Sequence, residues 1–248
     1  MIDIHMHILP GVDDGSPNME SSLALADASA ESGVDSIVAT PHCYPGLYDN
    51  DAGPGLEQRF AELDRAVRSA RIPVRLYQGM EIFGTVQTPA DLEDGRVWTL
   101  NGTQYFLVEF AFDGDPVQCS EILDACARRG FIPVIAHPER YFFIQDDPRT
   151  AYRWVQRGYA LQLNGESILG RLGEDCRQTA YLLLSHGLAS CAASDAHRMN
   201  WRPPACGRLR EILIRDFGRE CAYMLLEENP LRILEGRDLV GYEAEPFE

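Results

Sequence analysis

The sequence predicts an α/β fold, a parallel barrel built as one domain. Three observations carry that prediction. Short apolar or β-branched runs recur seven times along the chain, and most are followed by a loop and a longer stretch of helical character. Several helical stretches close on glycine, the residue that most easily takes the left-handed conformation ending a helix. Finally, 248 residues that are 45% hydrophobic suffice for one well-buried domain of barrel size.

In chain order the strand candidates are IDIH (2–5), VDSIVAT (34–40), VRLYQG (74–79), YFLVEF (105–110), IPVIAH (132–137), ALQLN (160–164) and LASCAAS (188–194). The helical candidates between them are 18–33, 54–70, 117–130, 148–158 and 172–187. Segment 84–104 fits a simple helix poorly and reads as a short helix with an irregular excursion. From Pro203 onward one or two closing helices are expected, then the acidic tail EAEPFE. Strands alternating with helices favour a parallel sheet over a sandwich or a bundle.

Charge and composition remove several function classes. A net charge of −16 and a pI near 4.7 argue against binding nucleic acid or an anionic membrane, which need a basic surface. All 22 basic residues are arginine, so Schiff-base chemistry, a P-loop lysine and a carboxylated-lysine metal bridge are excluded. The seven cysteines form no C-x-x-C pair and read as reduced thiols. None has an arginine six residues on, as the C-x5-R signature of cysteine phosphatases requires. With no leader-like start and no long uncharged apolar run, the expected location is the cytoplasm, without direct membrane insertion.

The chemistry-bearing residues cluster at strand ends. In IDIHMHILPGVDDG, His5 and His7 alternate along an extended strand and so project to one side. His42 follows the second strand, Glu81 the third, Glu109 ends the fourth, His137 the fifth, and Asp195 and His197 follow the seventh. A parallel barrel gathers all strand C-termini at one face, so these residues converge. Five of the six histidines fall there. His186, in a helix's last turn, reads as structural. With Asp14 the set reaches nine N/O donors, too many for one ion and suited to two or three. Without a thiolate, it accepts Mn, Fe, Zn or Mg. Asp13 reads as a turn residue, and Tyr141-Phe142-Phe143 as a hydrophobic plug or, beside Arg140, a surface stacking on an aryl phosphate.

The segments IDIHMHILPGVDDG, ATPHC, GMEI, VIAHPERY and SDAHRMNWRPP, in that order and spacing, resemble the PHP (polymerase and histidinol phosphatase) superfamily. Within it they are most similar to the bacterial capsule and exopolysaccharide tyrosine-protein phosphatases. The resemblance covers nearly the whole chain and implies a distorted (β/α)7 TIM-like barrel, a single metallophosphatase domain over residues 1–248. It implies three metal sites, with manganese expected first: His5, His7, Glu81 and Asp195 at one, Glu81 bridging to a second with Glu109 and His137, and Asp14, His42 and His197 at the third. Arg140 and Arg202 match arginines placed near the phosphate. The implied substrate is a tyrosine-phosphorylated protein, a tyrosine autokinase of polysaccharide export. The rival readings are a small-molecule phosphatase such as a histidinol phosphatase, and a metal-stabilised regulatory module without turnover.

Overall fold

The structure is a computed structural model describing residues 1–247. Nine strands form: β1 (Ile2–Met6), β2 (Ser36–Ala39), β3 (His42–Cys43), β4 (Arg75–Gln78), β5 (Glu81–Phe83), β6 (Tyr105–Glu109), β7 (Ile132–Ala136), β8 (Ala160–Asn164) and β9 (Cys191–Ala193). Every pairing is parallel, in the orders β1-β2-β4 and β3-β5-β6-β7-β8-β9. A parallel bridge from Met6 to Ala196 and the bond from Asp195 N to His5 O join β1 to the end of β9. The seven expected strands are all present; β3 and β5 lie just past the expected ends of the second and third and continue them after a break, which makes nine among the described residues.

Each break has a local cause. Between β2 and β3 stands Pro41, which has no N–H for a ladder. Thr40 N there turns to Met6 O at 2.9 Å, and Pro41 O accepts from Glu81 N at 3.1 Å. Between β4 and β5 stands Gly79, where a Cβ would lie 2.8 Å from Val38 Cγ1. After the breaks, β3 and β5 pair with each other and β5 continues onto β6. This jog is the distortion of the barrel, and it delivers His42 and Glu81 side by side in register.

Strand alternation then sets what faces the site. Along β6, Leu107 packs with Val134, Ala136, Ala160, Cys191 and Ala193 in one cluster. Its neighbours Phe106 and Val108 pack among the helices with Leu123 and Cys126. Glu109 lies on the Leu107 side, so the same face ends in a carboxylate. On β8, Leu161 and Leu163 join the helix-side core while Gln162 and Asn164 are fully buried on the opposite face.

The helices are α1 (Met19–Glu31), α2 (Pro54–Ser69), α3 (Thr88–Glu93), α4 (Pro116–Ala127), α5 (Phe142–Asp146), α6 (Arg149–Gln156), α7 (Gly165–Ile168), α8 (Glu174–Ser185), α9 (Cys206–Phe217), α10 (Arg219–Tyr223) and α11 (Asn229–Glu235). Segment 84–104 holds α3 and one 3-10 turn, Leu100–Gly102, as expected. The closing region exceeds the one or two helices expected. Gly218 at φ +90° splits it, and a π turn over Met224–Glu228 precedes Pro230, which cannot donate to the carbonyl four residues back. His186 caps α8 away from the site, its Nδ1 3.1 Å from Glu245 O and its ring on Phe247, which pins the acidic tail. Among the described residues no helix is long and apolar enough to cross a membrane.

Gly15 tests how tightly the first loop folds under the site. A Cβ there would lie 2.3 Å from His7 O and 2.4 Å from His7 Cβ, atoms that cannot swing aside. Gly15→Ala is expected to cost about 1–3 kcal/mol in urea unfolding. Gly55→Ala, where a Cβ meets nothing within 4 Å, should be neutral or slightly stabilising. Equal midpoints for both variants would refute the close packing of this loop.

Candidate metal centre

Asp3 and His5 point to one side of β1, and His7 continues the alternation past its end. Both imidazoles are fully buried. Their Nε2 atoms stand 3.3 Å apart, and each lies 3.2 Å from Glu81 Oε2. Asp195 Oδ1 is 3.4 Å from the first and 3.5 Å from the second. Ligand atoms bound about 2.0–2.2 Å from one small divalent ion stand roughly 3 Å apart, so this group has the span of a coordination shell.

The imidazoles are oriented from behind. His7 Nδ1 donates to Asp13 Oδ2 at 2.8 Å, and His5 Nδ1 donates to Gln162 Oε1 at 2.8 Å. A proton on Nδ1 leaves the Nε2 lone pair facing the cluster, the tautomer a metal ligand needs. Asp13 also accepts from the backbone N–H groups of Gly15 and His42. Asn164 Nδ2 donates to Asp195 Oδ2 at 2.6 Å while its Oδ1 caps α7. Two donors, His137 at φ 36° and Asp195 at φ 52°, hold left-handed backbone conformations, each costing roughly 1–3 kcal/mol that surrounding contacts must offset.

Two further groups adjoin the first. His42 Nδ1 is 3.1 Å from Glu81 Oε2 and 3.1 Å from Glu109 Oε1, and His137 Nε2 is 2.9 Å from Glu81 Oε1. On the other side, His42 Nε2 and His197 Nε2 lie 3.5 and 3.6 Å from Asp14 Oδ1, with His7 completing the set. The grouping differs in two respects from that implied by the resemblance. His42 reaches two groups through its two ring nitrogens, and His7 joins the third group as well as the first.

The unsatisfied atoms say what this arrangement is for. Asp14 Oδ1 and His42 Nδ1 are buried without a hydrogen bond, although carboxylates lie 3.1 Å from the latter. The spacing is right for hydrogen bonds and the direction is not. Donor atoms that crowd together without pairing, all nitrogen or oxygen, fit divalent cations at their common focus.

The electrostatics agree. Burial pulls the His5 and His7 imidazoles down, but Glu81 and Asp195 lift His5, and Asp13 lifts His7 well above its ordinary value. Burial would raise Glu81 and Asp195, yet His5 leads in holding both well below the usual carboxylate range, joined by His42 at Glu81 and Arg202 at Asp195. Burial, helped by His7 and Arg202, pushes the His197 imidazole down to about 2. His5 and His7 thus hold a proton, and Glu81 and Asp195 their negative charge, more readily than in water, so the buried carboxylates are stabilised by positive charge at the cluster, which divalent cations would also supply.

The centre opens into a cleft of about 290 Å³ whose walls include Tyr48, Phe112, Arg140, Trp201 and Arg202. Arg202 Nη2 pairs with Asp195 Oδ2, and its Nη1 is 3.3 Å from His197 Nε2. Arg140 Nη1 is 3.7 Å from Asp195 Oδ2, and its guanidinium stacks 4.4 Å over the Phe112 ring. All nine donors expected from the sequence and both arginines are therefore brought to one place.

Three participants were not foreseen. Asp13, expected as a turn residue, accepts the His7 proton while also closing its turn through Gly15. Gln162 and Asn164 were hidden inside an apparently ordinary strand. The legible signal was polar residues at alternate positions of ALQLN, a pattern a buried parallel strand does not need for packing. Tyr141 is plug, fully buried with its hydroxyl donating to Ala136 O, so the aromatic wall comes from other loops.

Comparison with known proteins places this geometry in a lineage. The chain is 34% identical over 231 residues to tyrosine-protein phosphatase YwqE of Bacillus subtilis (strain 168), covering 93% of this chain and 91% of the relative. It is 29% identical over 239 residues to tyrosine-protein phosphatase CpsB of Streptococcus pneumoniae, covering 94% and 98%. It superimposes with a TM-score of 0.94, at 33% identity and full coverage of both chains, on a chain from the crystal structures of YwqE and CpsB, described as unique metal-dependent tyrosine phosphatases. The lactonase Lmo2620 of Listeria monocytogenes shares the fold alone, at 12% identity, 94% coverage of each chain and a TM-score of 0.63. Residues 1–235 match the family described as capsular polysaccharide synthesis, CpsB/CapC, and the chain belongs to that family.

Proposed function

We propose that this chain is a metal-dependent tyrosine-protein phosphatase, one PHP metallophosphatase domain acting in the cytoplasm on a tyrosine autokinase of polysaccharide export. The observation that carries the reading is the convergence of nine unthiolated donors with two arginines at one cleft. His5, His7, Asp14, His42, Glu81, Glu109, His137, Asp195 and His197 would hold two or three divalent ions, manganese foremost. Such ions supply a water that ionises near neutral pH and a Lewis acid for phosphoryl oxygens. The side chains do the rest. Asp13 and Gln162 fix the imidazole tautomers, and Arg140 and Arg202 present planar donors matched to a phosphoryl group.

Thiol catalysis has no support. Burial raises all seven thiols, Cys43 to about 11 and Cys119 and Cys126 to about 12, so no nucleophilic thiolate forms near neutral pH. A phenol with a pKa of about 10 leaves phosphorus more readily than an alkanol, which suits a site with no lysine to protonate the leaving group.

Strong chelation should abolish turnover and add-back of single metals should restore it, with manganese restoring most. Full activity in protein shown by elemental analysis to be metal-free would end this reading, and bound metal without any turnover would favour a regulatory module. Arg202→Ala should lower kcat by about a hundredfold or more while leaving metal content near that of the parent protein. Parallel loss of both would make Arg202 a structural partner of Asp195.

Substrate class is tested with one metal-loaded preparation. Phosphotyrosine peptides should exceed phosphoserine peptides and histidinol phosphate in kcat/KM by at least tenfold, on the leaving-group argument. A tenfold advantage for histidinol phosphate would overturn the protein-phosphatase assignment.

A further inference from the structure

Two short loops flank the centre and are built alike. After His42, Tyr44 and Tyr48 exchange backbone hydrogen bonds of 2.9 and 2.8 Å across a turn with Gly46 at φ +81°. After His197, Arg198 and Arg202 form the corresponding bridge, with His197 N donating to Arg202 O at 2.9 Å. Each loop sets one aromatic ring against its own donor imidazole. Tyr48 lies parallel to His42, at 8° and 5.6 Å between centroids, and Trp201 stands edge-on to His197 at 5.4 Å.

Side-chain contacts tie both loops to the body of the protein. Tyr44 stacks on Phe83 at 4.0 Å, and Asn50 Nδ2 donates to His42 O and Val12 O. Arg198 Nε donates to Asp14 O and Gly15 O, and the Arg202 guanidinium lies 5.7 Å from the Trp201 ring. Yet Trp201 keeps 56% of its surface exposed and Leu47 62%, both on the wall of the cleft. Exposed apolar surface on loops tied down in this way, beside buried cationic and imidazole groups, marks a place for a ligand that is aromatic at one end and anionic at the other. At about 290 Å³ the cleft is at the small end of ligand sites, enough for a single ring and its anion.

We propose that Tyr48 and Trp201, with Leu47 at the rim, form a clamp for the aryl ring of the substrate, so that selection of aryl over alkyl phosphate is made by ring contact as well as by leaving-group chemistry. This rests on the phosphatase reading for the identity of the anion, and its test is kept separate from turnover. Phosphonates carry a C–P bond that a phosphatase does not hydrolyse. Calorimetric affinities of phenylphosphonate and methylphosphonate are compared on the manganese-loaded full chain. The parent protein should prefer the phenyl compound by about tenfold, the scale of one buried aromatic contact.

Trp201→Ala and Tyr48→Ala should each bring that ratio to within about twofold of one, with metal content measured on the same samples, and Trp201→Phe should retain most of the preference. No preference in the parent, or a preference that survives both alanine variants, overturns the clamp even if aryl phosphates are turned over. A clamp-dependent preference in a protein that hydrolyses no aryl phosphate supports the clamp and removes the phosphatase reading instead.

Discussion

Glu81 is the point on which this structure turns. One buried carboxylate lies within 3.2 Å of four imidazoles: His5, His7 and His42 at Oε2, and His137 at Oε1. A carboxylate taken out of water costs several kcal/mol unless charge and hydrogen bonds compensate it. With their Nδ1 protons given to Gln162 and Asp13, neutral His5 and His7 turn only lone pairs toward Oε2, and four protonated rings would repel each other at ring separations of 4.4 to 5.9 Å. Cations shared among the rings resolve the conflict, because the same lone pairs that repel one another then converge on a positive centre. The broken third strand exists, in this view, to deliver Glu81 to that spot: Gly79 lets the chain pass close to Val38, and the residue two later emerges beside His42.

Holding so many donors toward one focus requires that their other atoms be occupied. Asp13 and Gln162 take the far nitrogens of His7 and His5, and Asn164 takes one oxygen of Asp195. These three are supplied by the first loop and by β8, which contributes no donor of its own to the centre. The division of labour follows from strand alternation. Inward positions of β8 sit behind the donors of β1 and beside those of β9, so polar side chains there meet ring nitrogens and a carboxylate and not water.

The seven strands and the donor set were legible because each rests on a short-range rule. Alternation puts His5 and His7 on one side of a strand, and a parallel barrel puts all strand ends at one rim. What sequence did not disclose depends on contacts distant in the chain. Asp13 looked like a turn former because its Gly15 bond is local, whereas its bond to His7 depends on how the loop folds back. His42 could be assigned to one group only, since nothing local shows that its two ring nitrogens face different carboxylates. Single-turn helices such as α5 and α7 carry too few residues for a period to register, and the π turn before Pro230 depends on how the closing helices pack.

The acidic character of the whole molecule sharpens the centre's selectivity. At a net charge of −16 the surface repels anions at long range, so an anionic ligand gains only where positive charge is focused and desolvated. The four donor carboxylates carry −4, which three divalent ions at +6 would convert to +2, and Arg140 and Arg202 would add two more. Such a focus is deep and short-ranged, so it rewards a dianionic phosphate monoester that reaches it and offers little to a polyanion lying along the surface. The same restriction explains why binding should be shared with apolar contact. Where long-range attraction is absent, a ring seated beside Tyr48 and Trp201 supplies affinity that the surrounding field withholds, and the anion is then presented to the arginines in a fixed direction.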